Sequence, residues 1–161
     1  MIWYILSAVV SNIVISLAYD EIVRNTAEEL SRQLSVTTGK PVLNVGSKFR
    51  LVGDVNCDIK PLASGVEYCD ARSLPYSDKQ FGVVLLSHVL EHIDDPILAL
   101  REALRVADYV IIVQPKKWQI LPWIHPDHKW WIYVKNGKIY FESIGDNLLY
   151  CVSKPSNVIV L

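Results

Sequence analysis

Residues 87–96 read SHVLEHIDDP, and His88, Glu91 and His92 within them fit the pattern H-x-x-E-H. In inverted zinc peptidases that spacing offers two imidazoles to a metal and a carboxylate to a nearby water. Such a site also needs a third protein ligand, and no matching acidic motif follows. The other two of the four histidines, His125 and His128, form a second tight pair, with Asp127 nearby. If the two pairs meet in the fold, a non-peptidase metal can sit between them. Otherwise one histidine faces a substrate and three are ordinary polar or capping groups. The expectation taken forward is metal-free chemistry at His88 as the catalytic residue. Glu91 and His92 lie three and four positions on, where they can share its helical face.

The stretch FGVVLLS directly before His88 is continuous and β-branched, like strands buried on both faces. Residues at the carboxyl end of a strand in an open α/β sheet line the ligand crevice. After the motif, Asp94, Asp95 and Pro96 suit a helix N-terminus. Ile97, Leu98, Leu100, Ala103, Leu104 and Val106 then form a helical stripe. VLNVGS, LVGDVNCDI, VEYCD and YVIIVQP read as further short strands. This rhythm predicts an α/β fold with an open, mostly parallel sheet. The tail differs. WWIYVKNGKIYFES holds two β-rich runs around Asn136-Gly137, a strong hairpin signal, and LLYCVS adds another strand. An antiparallel edge is therefore expected after the parallel core.

With 161 residues, 51% of them hydrophobic, the chain is long enough for one domain with a real core. A net charge of −1 and scattered basic residues argue against a nucleic-acid partner. The three cysteines, Cys57, Cys69 and Cys151, have no C-x-x-C spacing. They are expected as small buried hydrophobes in a reducing compartment.

Residues 1–18 carry no charge. A helix over them spans about 27 Å, close to the ~30 Å core of a bilayer. Ser7, Ser11, Asn12 and Ser16 do not gather on one face, so the segment reads as a membrane anchor ahead of a domain at residues 19–161. A buried or oligomer-forming helix and a cleaved signal peptide are the alternatives. No Gly or Pro occurs before Gly39, so one long helix is expected, with Ile22, Val23, Ala27, Leu30 and Leu34 as an amphipathic continuation. Arg24, Arg32 and Lys40 all follow the apolar run, and the positive-inside tendency then places the domain on the cytoplasmic side.

The segment VEYCDARSLPYSDKQFGVVLLSHVLEHIDDPILALREALRVADYVIIVQP resembles the second half of a class I S-adenosylmethionine-dependent methyltransferase, with the pieces in that family's order. The resemblance extends over residues 41–115. It implies a Rossmann-like methyltransferase fold and S-adenosylmethionine as cofactor. By that resemblance, Gly46 approaches the methionine part, Asp58 binds the ribose hydroxyls, and Asp70 with the Ala71 backbone holds the adenine edge. Ser87 and His88 would close the crevice near the transferred methyl. Asn44 stands where the family has an acid, and only Gly46 remains of its three glycines. Lys48 or Arg50 can meet the methionine carboxylate. Asp54 is a rival to Asp58. The run from Ser47 to the next strand leaves no room for the family's first helix.

PKKWQILPWIHPDHKWW, residues 115–131, lies where this family carries substrate-binding elements, and Trp118, His125 and His128 are the substrate-side candidates. The function so implied is methyl transfer to a small or lipid-like acceptor at a membrane. The competing reading is a catalytically degenerate module of the same fold, serving a membrane assembly as a structural or partner-binding part.

Overall fold

The computed structural model describes residues 2–161. Met1, the first residue of the expected anchor, lies outside the described residues. Helix α1 (Ile2–Thr38) is a single 37-residue helix, about 55 Å long at 1.5 Å per residue. Gly39, at φ +67°, ends it and donates its N–H to the Ser35 carbonyl, a left-handed C-terminal cap.

Six strands form the main sheet: β1 (Val42–Val45), β2 (Val55–Asp58), β3 (Glu67–Tyr68), β4 (Phe81–Ser87), β5 (Ala107–Val113) and β9 (Val158–Val160). Their order is β3-β2-β1-β4-β5-β9, and every pairing is parallel. The order reverses direction between β1 and β4, which opens a crevice at the carboxyl ends of those two strands.

Val23, Ala27, Leu30 and Leu34 of α1 cover one face of the sheet, against Val42, Val83, Leu85, Ile111 and Val113. Ile22, expected on the same stripe, is exposed. The opposite face, with Leu43, Val45, Val84, Leu86, Val110 and Ile112, is covered by α2 (Pro96–Val106) through Ala99, Leu100 and Ala103. Each fully buried Leu, Ile or Val contributes about 1.5–3 kcal/mol. Asp95 caps α2 by accepting from the Leu98 N–H, with Pro96 in the first turn. No helix separates β1 from β2.

The hairpin forms at Asn136 and Gly137, both at positive φ. Its strands β6 (Trp130–Lys135) and β7 (Lys138–Ser143) join β8 (Leu149–Ser153) in a separate three-stranded antiparallel sheet. Trp130, Ile132, Ile139 and Phe141 insert into the core beneath α2. The edge of the main sheet is taken instead by β9, a run too short to stand out in the sequence.

The cysteines depart from expectation. Cys57 and Cys69 are buried as expected but joined by a disulfide, and Cys151 is exposed. β2 and β3 are neighbours in register, so Cys69 emerges from β3 with its Cα 5.6 Å from that of Cys57.

Candidate functional site

A cleft of about 340 Å³ opens at the crevice between β1 and β4. Val45, Gly46, Lys48, Asp58, Ile59, Asp70, Ala71, Arg72, His88 and Val89 contribute to its lining. Gly46 is required here by geometry. Its φ is +76°, and a Cβ at this position would sit 2.3 Å from Cγ2 of Val89. Its N–H donates to the Cys57 carbonyl, which folds the loop back across β2.

Asp58 ends β2. One carboxylate oxygen accepts from the Lys48 N–H at 2.9 Å and the other from the Lys60 N–H at 2.7 Å. Each oxygen keeps a further lone pair for a ligand hydroxyl. Lys48 therefore stands in the cleft, while Arg50 is drawn away to Glu28 and Glu21 of α1. Asp54 accepts from the Val42 N–H at the far end of β1 and is not a rival.

Asn44 is a correction. It is buried on the α1 side of the sheet, where its amide donates to the Arg50 carbonyl and to Asn56. Side chains alternate along a strand, and this one points away from the cleft.

Asp70 and Ala71 line the cleft's other end. The guanidinium of Arg72 chelates Asp70, with Nη2 2.7 Å from Oδ2, and holds its carboxyl below the ordinary range. Arg72 itself was missed in the sequence because nothing local marks a cleft-lining arginine. Ser87, the last residue of β4, is half-buried but not part of the cleft lining.

His88 has φ +55°, unusual for a residue with a side chain, and donates its N–H to the Val113 carbonyl. Non-glycine residues held this way concentrate at functional sites. Its Nδ1 lies 3.2 Å from a carboxylate oxygen of Glu91, which is fully buried. Leu90–His92 is a 3₁₀ turn rather than the start of a helix. His88 also lines a second hollow of about 140 Å³ with Ser16, Asp20, Arg24, His125 and His128. It is thus a wall common to the cleft and this hollow.

Two sets of contacts assemble the hollow. The Asn12 side chain of α1 donates to the Trp118 carbonyl and accepts from the Ile120 N–H, and Gln119 donates to Asp20. They seat the segment leading into α3 (Leu121–Ile124) on α1. The Lys129 N–H donates to the Glu91 carbonyl, which draws the following loop onto the 3₁₀ turn. His92, His125 and His128 meet there, with ring centroids 4.6–5.4 Å apart. Burial pushes the His128 imidazole down to about 4, so it is neutral near pH 7. Trp118 does not line the hollow; it packs edge-on against Tyr19.

Residues 44–108 match the family model for a methyltransferase domain. The match covers well under half of the chain; the parallel sheet and crevice described above give the domain a Rossmann-like α/β fold consistent with it. Among solved structures, the crystal structure of the [4+2]-cyclase SpnF is similar at a TM-score of 0.40 and 18% identity, over 55% of this chain and 46% of that one. The chain spans less than half of that protein's length. Comparison with curated protein sequences gives no match.

Proposed function

We propose that the chain transfers a methyl group from S-adenosylmethionine to a small or lipid-like acceptor held in the hollow behind His88. The observation that carries this reading is the position of His88 between the cleft and the hollow. A donor on one side and an acceptor on the other meet at that wall, and alignment is the main requirement of methyl transfer.

The cleft fits the cofactor. Gly46 leaves room for a close backbone approach, and Ile59 and Val89 offer apolar walls. Asp58 would hold the ribose hydroxyls, Asp70 and Ala71 the adenine edge, and Lys48 the methionine carboxylate. The bound cofactor supplies an activated methyl group. His88 would position the acceptor and take its proton where the acceptor has one to lose. Titration calorimetry of the full-length protein with S-adenosylhomocysteine tests the reading. Absence of both heat and a thermal shift at millimolar ligand would instead support a non-catalytic module of the same fold.

The long helix bears on where this happens. α1 is long and apolar enough to cross a membrane. Trp3, Tyr4, Ile5, Val10 and Val14 are exposed. We infer membrane attachment through this half of α1. Arg24, Arg32 and Lys40 after the apolar run favour a cytoplasmic domain. The Cys57–Cys69 disulfide favours an oxidising compartment. Protease protection in sealed vesicles distinguishes the two orientations.

A further inference from the structure

The geometry points to a divalent transition-metal site at His92, His125 and His128, of the zinc type, with one coordination position left open. The three residues each place a ligand nitrogen within 4.8 Å of the others. Tetrahedral zinc with Zn–N bonds of about 2.0–2.1 Å brings such nitrogens to roughly 3.4 Å of one another. Small side-chain rotations close that gap, and His125 is exposed on a loop where it can turn.

The surroundings are those of a ligand set. His92 Nδ1 is 3.0 Å from the Asp127 carbonyl. A carbonyl only accepts, so the proton sits on Nδ1 and Nε2 carries a free lone pair. This is the arrangement by which an outer partner orients a metal-binding imidazole. His128 Nδ1 is buried with no hydrogen-bond partner. At His125 the Asp127 N–H lies 3.3 Å from Nδ1, a long hydrogen bond that a metal replaces whichever nitrogen it takes.

A second observation points the same way. Nε2 of His88 and both carboxylate oxygens of Glu91 are also buried without a hydrogen bond; the 3.2 Å approach of His88 Nδ1 to Glu91 lacks hydrogen-bond geometry. Buried polar groups are nearly always satisfied. A buried carboxyl group beside a cluster of imidazoles is the setting in which a cation is stabilised. Three imidazoles with no carboxylate among them favour zinc, cobalt or nickel over magnesium or calcium.

The site adjoins both spaces described above. His92 lines the cleft, and His125 and His128 line the hollow. If methyl transfer is the function, the open position suits an acceptor hydroxyl or thiol, whose proton a metal makes easier to lose. That last step rests on the methyl-transfer reading; metal binding does not.

Metal content of the full-length protein, purified without chelator, is the test, followed by cobalt(II) titration after metal removal. We expect one zinc per chain and a tetrahedral cobalt spectrum. Both should be lost in His125→Ala and His128→Ala and kept in His88→Ala. Circular dichroism checks that each variant folds, and His125→Ala, on the exposed loop, serves if His128→Ala does not. Metal below one-tenth of an equivalent, or stoichiometric metal unchanged by His125→Ala, overturns the site. Loss of S-adenosylhomocysteine binding with metal retained would sink the transfer reading alone.

Discussion

Nδ1 of His88 lies 3.2 Å from the carboxylate of Glu91, and the two are held together by a backbone turn, not by a helix. His88 takes a positive φ directly after β4, and the 3₁₀ turn Leu90–His92 holds Glu91 within reach of it. If His88 is a base, His88→Ala should lower turnover by about 10²–10⁴ with cofactor affinity nearly unchanged. If it only shapes the hollow, the loss should be smaller and appear as a raised KM for the acceptor. Steady-state kinetics separates the two.

Gly46 gives a test of the cleft that does not depend on turnover. Gly46→Ala should cost about 1–2 kcal/mol from its left-handed backbone alone, and more from the contact with Val89. Affinity for S-adenosylhomocysteine should fall at least tenfold. Val89→Ala in the same chain removes the colliding methyl and should restore part of the melting temperature, the mark of coupled neighbours.

Asp58→Ala should weaken S-adenosylhomocysteine by about 1.5–3 kcal/mol, the worth of hydrogen bonds to a charged group. The same change strips the Lys48 and Lys60 N–H groups of their acceptor, so a lower melting temperature should accompany it. Calorimetry with an unchanged melting curve would contradict this placement.

Membrane attachment should depend on the exposed apolar half of α1. Full-length protein should pellet with membranes. Ile5→Lys, Val10→Lys and Val14→Lys combined should release it while leaving the melting transition in place, because all three residues are exposed. Each Lys costs about 2.5–3.5 kcal/mol at the centre of a spanning helix. Removing residues through Ala18 should do more, since it takes away the Asn12 bonds that seat residues 118–120. Hydrogen exchange in that loop should rise.

Glu102 sets part of the acid stability. Hydrogen bonds from Arg105 lower its pKa in the folded protein, after which the Leu74 N–H adds to the effect. A depressed carboxylate stabilises the fold above its ordinary pKa of about 4.5. That contribution is lost as pH falls through the lower, folded value. Glu102→Gln should therefore flatten the acid limb of a stability–pH curve and leave less difference between pH 7 and pH 3.

The parallel core was legible because buried strands such as FGVVLLS are continuous apolar runs, and the hairpin because Asn136-Gly137 suits positive φ. β9 was not, since three residues carry no period. Asn44 was misplaced because a motif gives a position along a strand, whereas the side of the sheet is set by alternation and by which helix covers it. Gly46, Asp58, Asp70 and Ala71 reach the cleft because they sit at strand ends, which sequence can mark. The meeting of His92 with His125 and His128 depends on the bond from Lys129 to Glu91 and on Asn12 reaching Ile120. Pairings that distant leave no local trace.

The disulfide has a further consequence. Cys57 precedes Asp58 and Cys69 precedes Asp70, so one covalent bond ties the chain positions next to two of the cleft's three acids. β3 is an edge strand of two residues, the kind of element that frays first. Here fraying is blocked by a bond to its neighbour. Reduction should therefore loosen the adenine end locally while the core under α2 stays intact. Ligand capture by this cleft becomes tied to the thiol chemistry of its surroundings, with order at one rim supplied either by the bond beforehand or by the ligand on arrival.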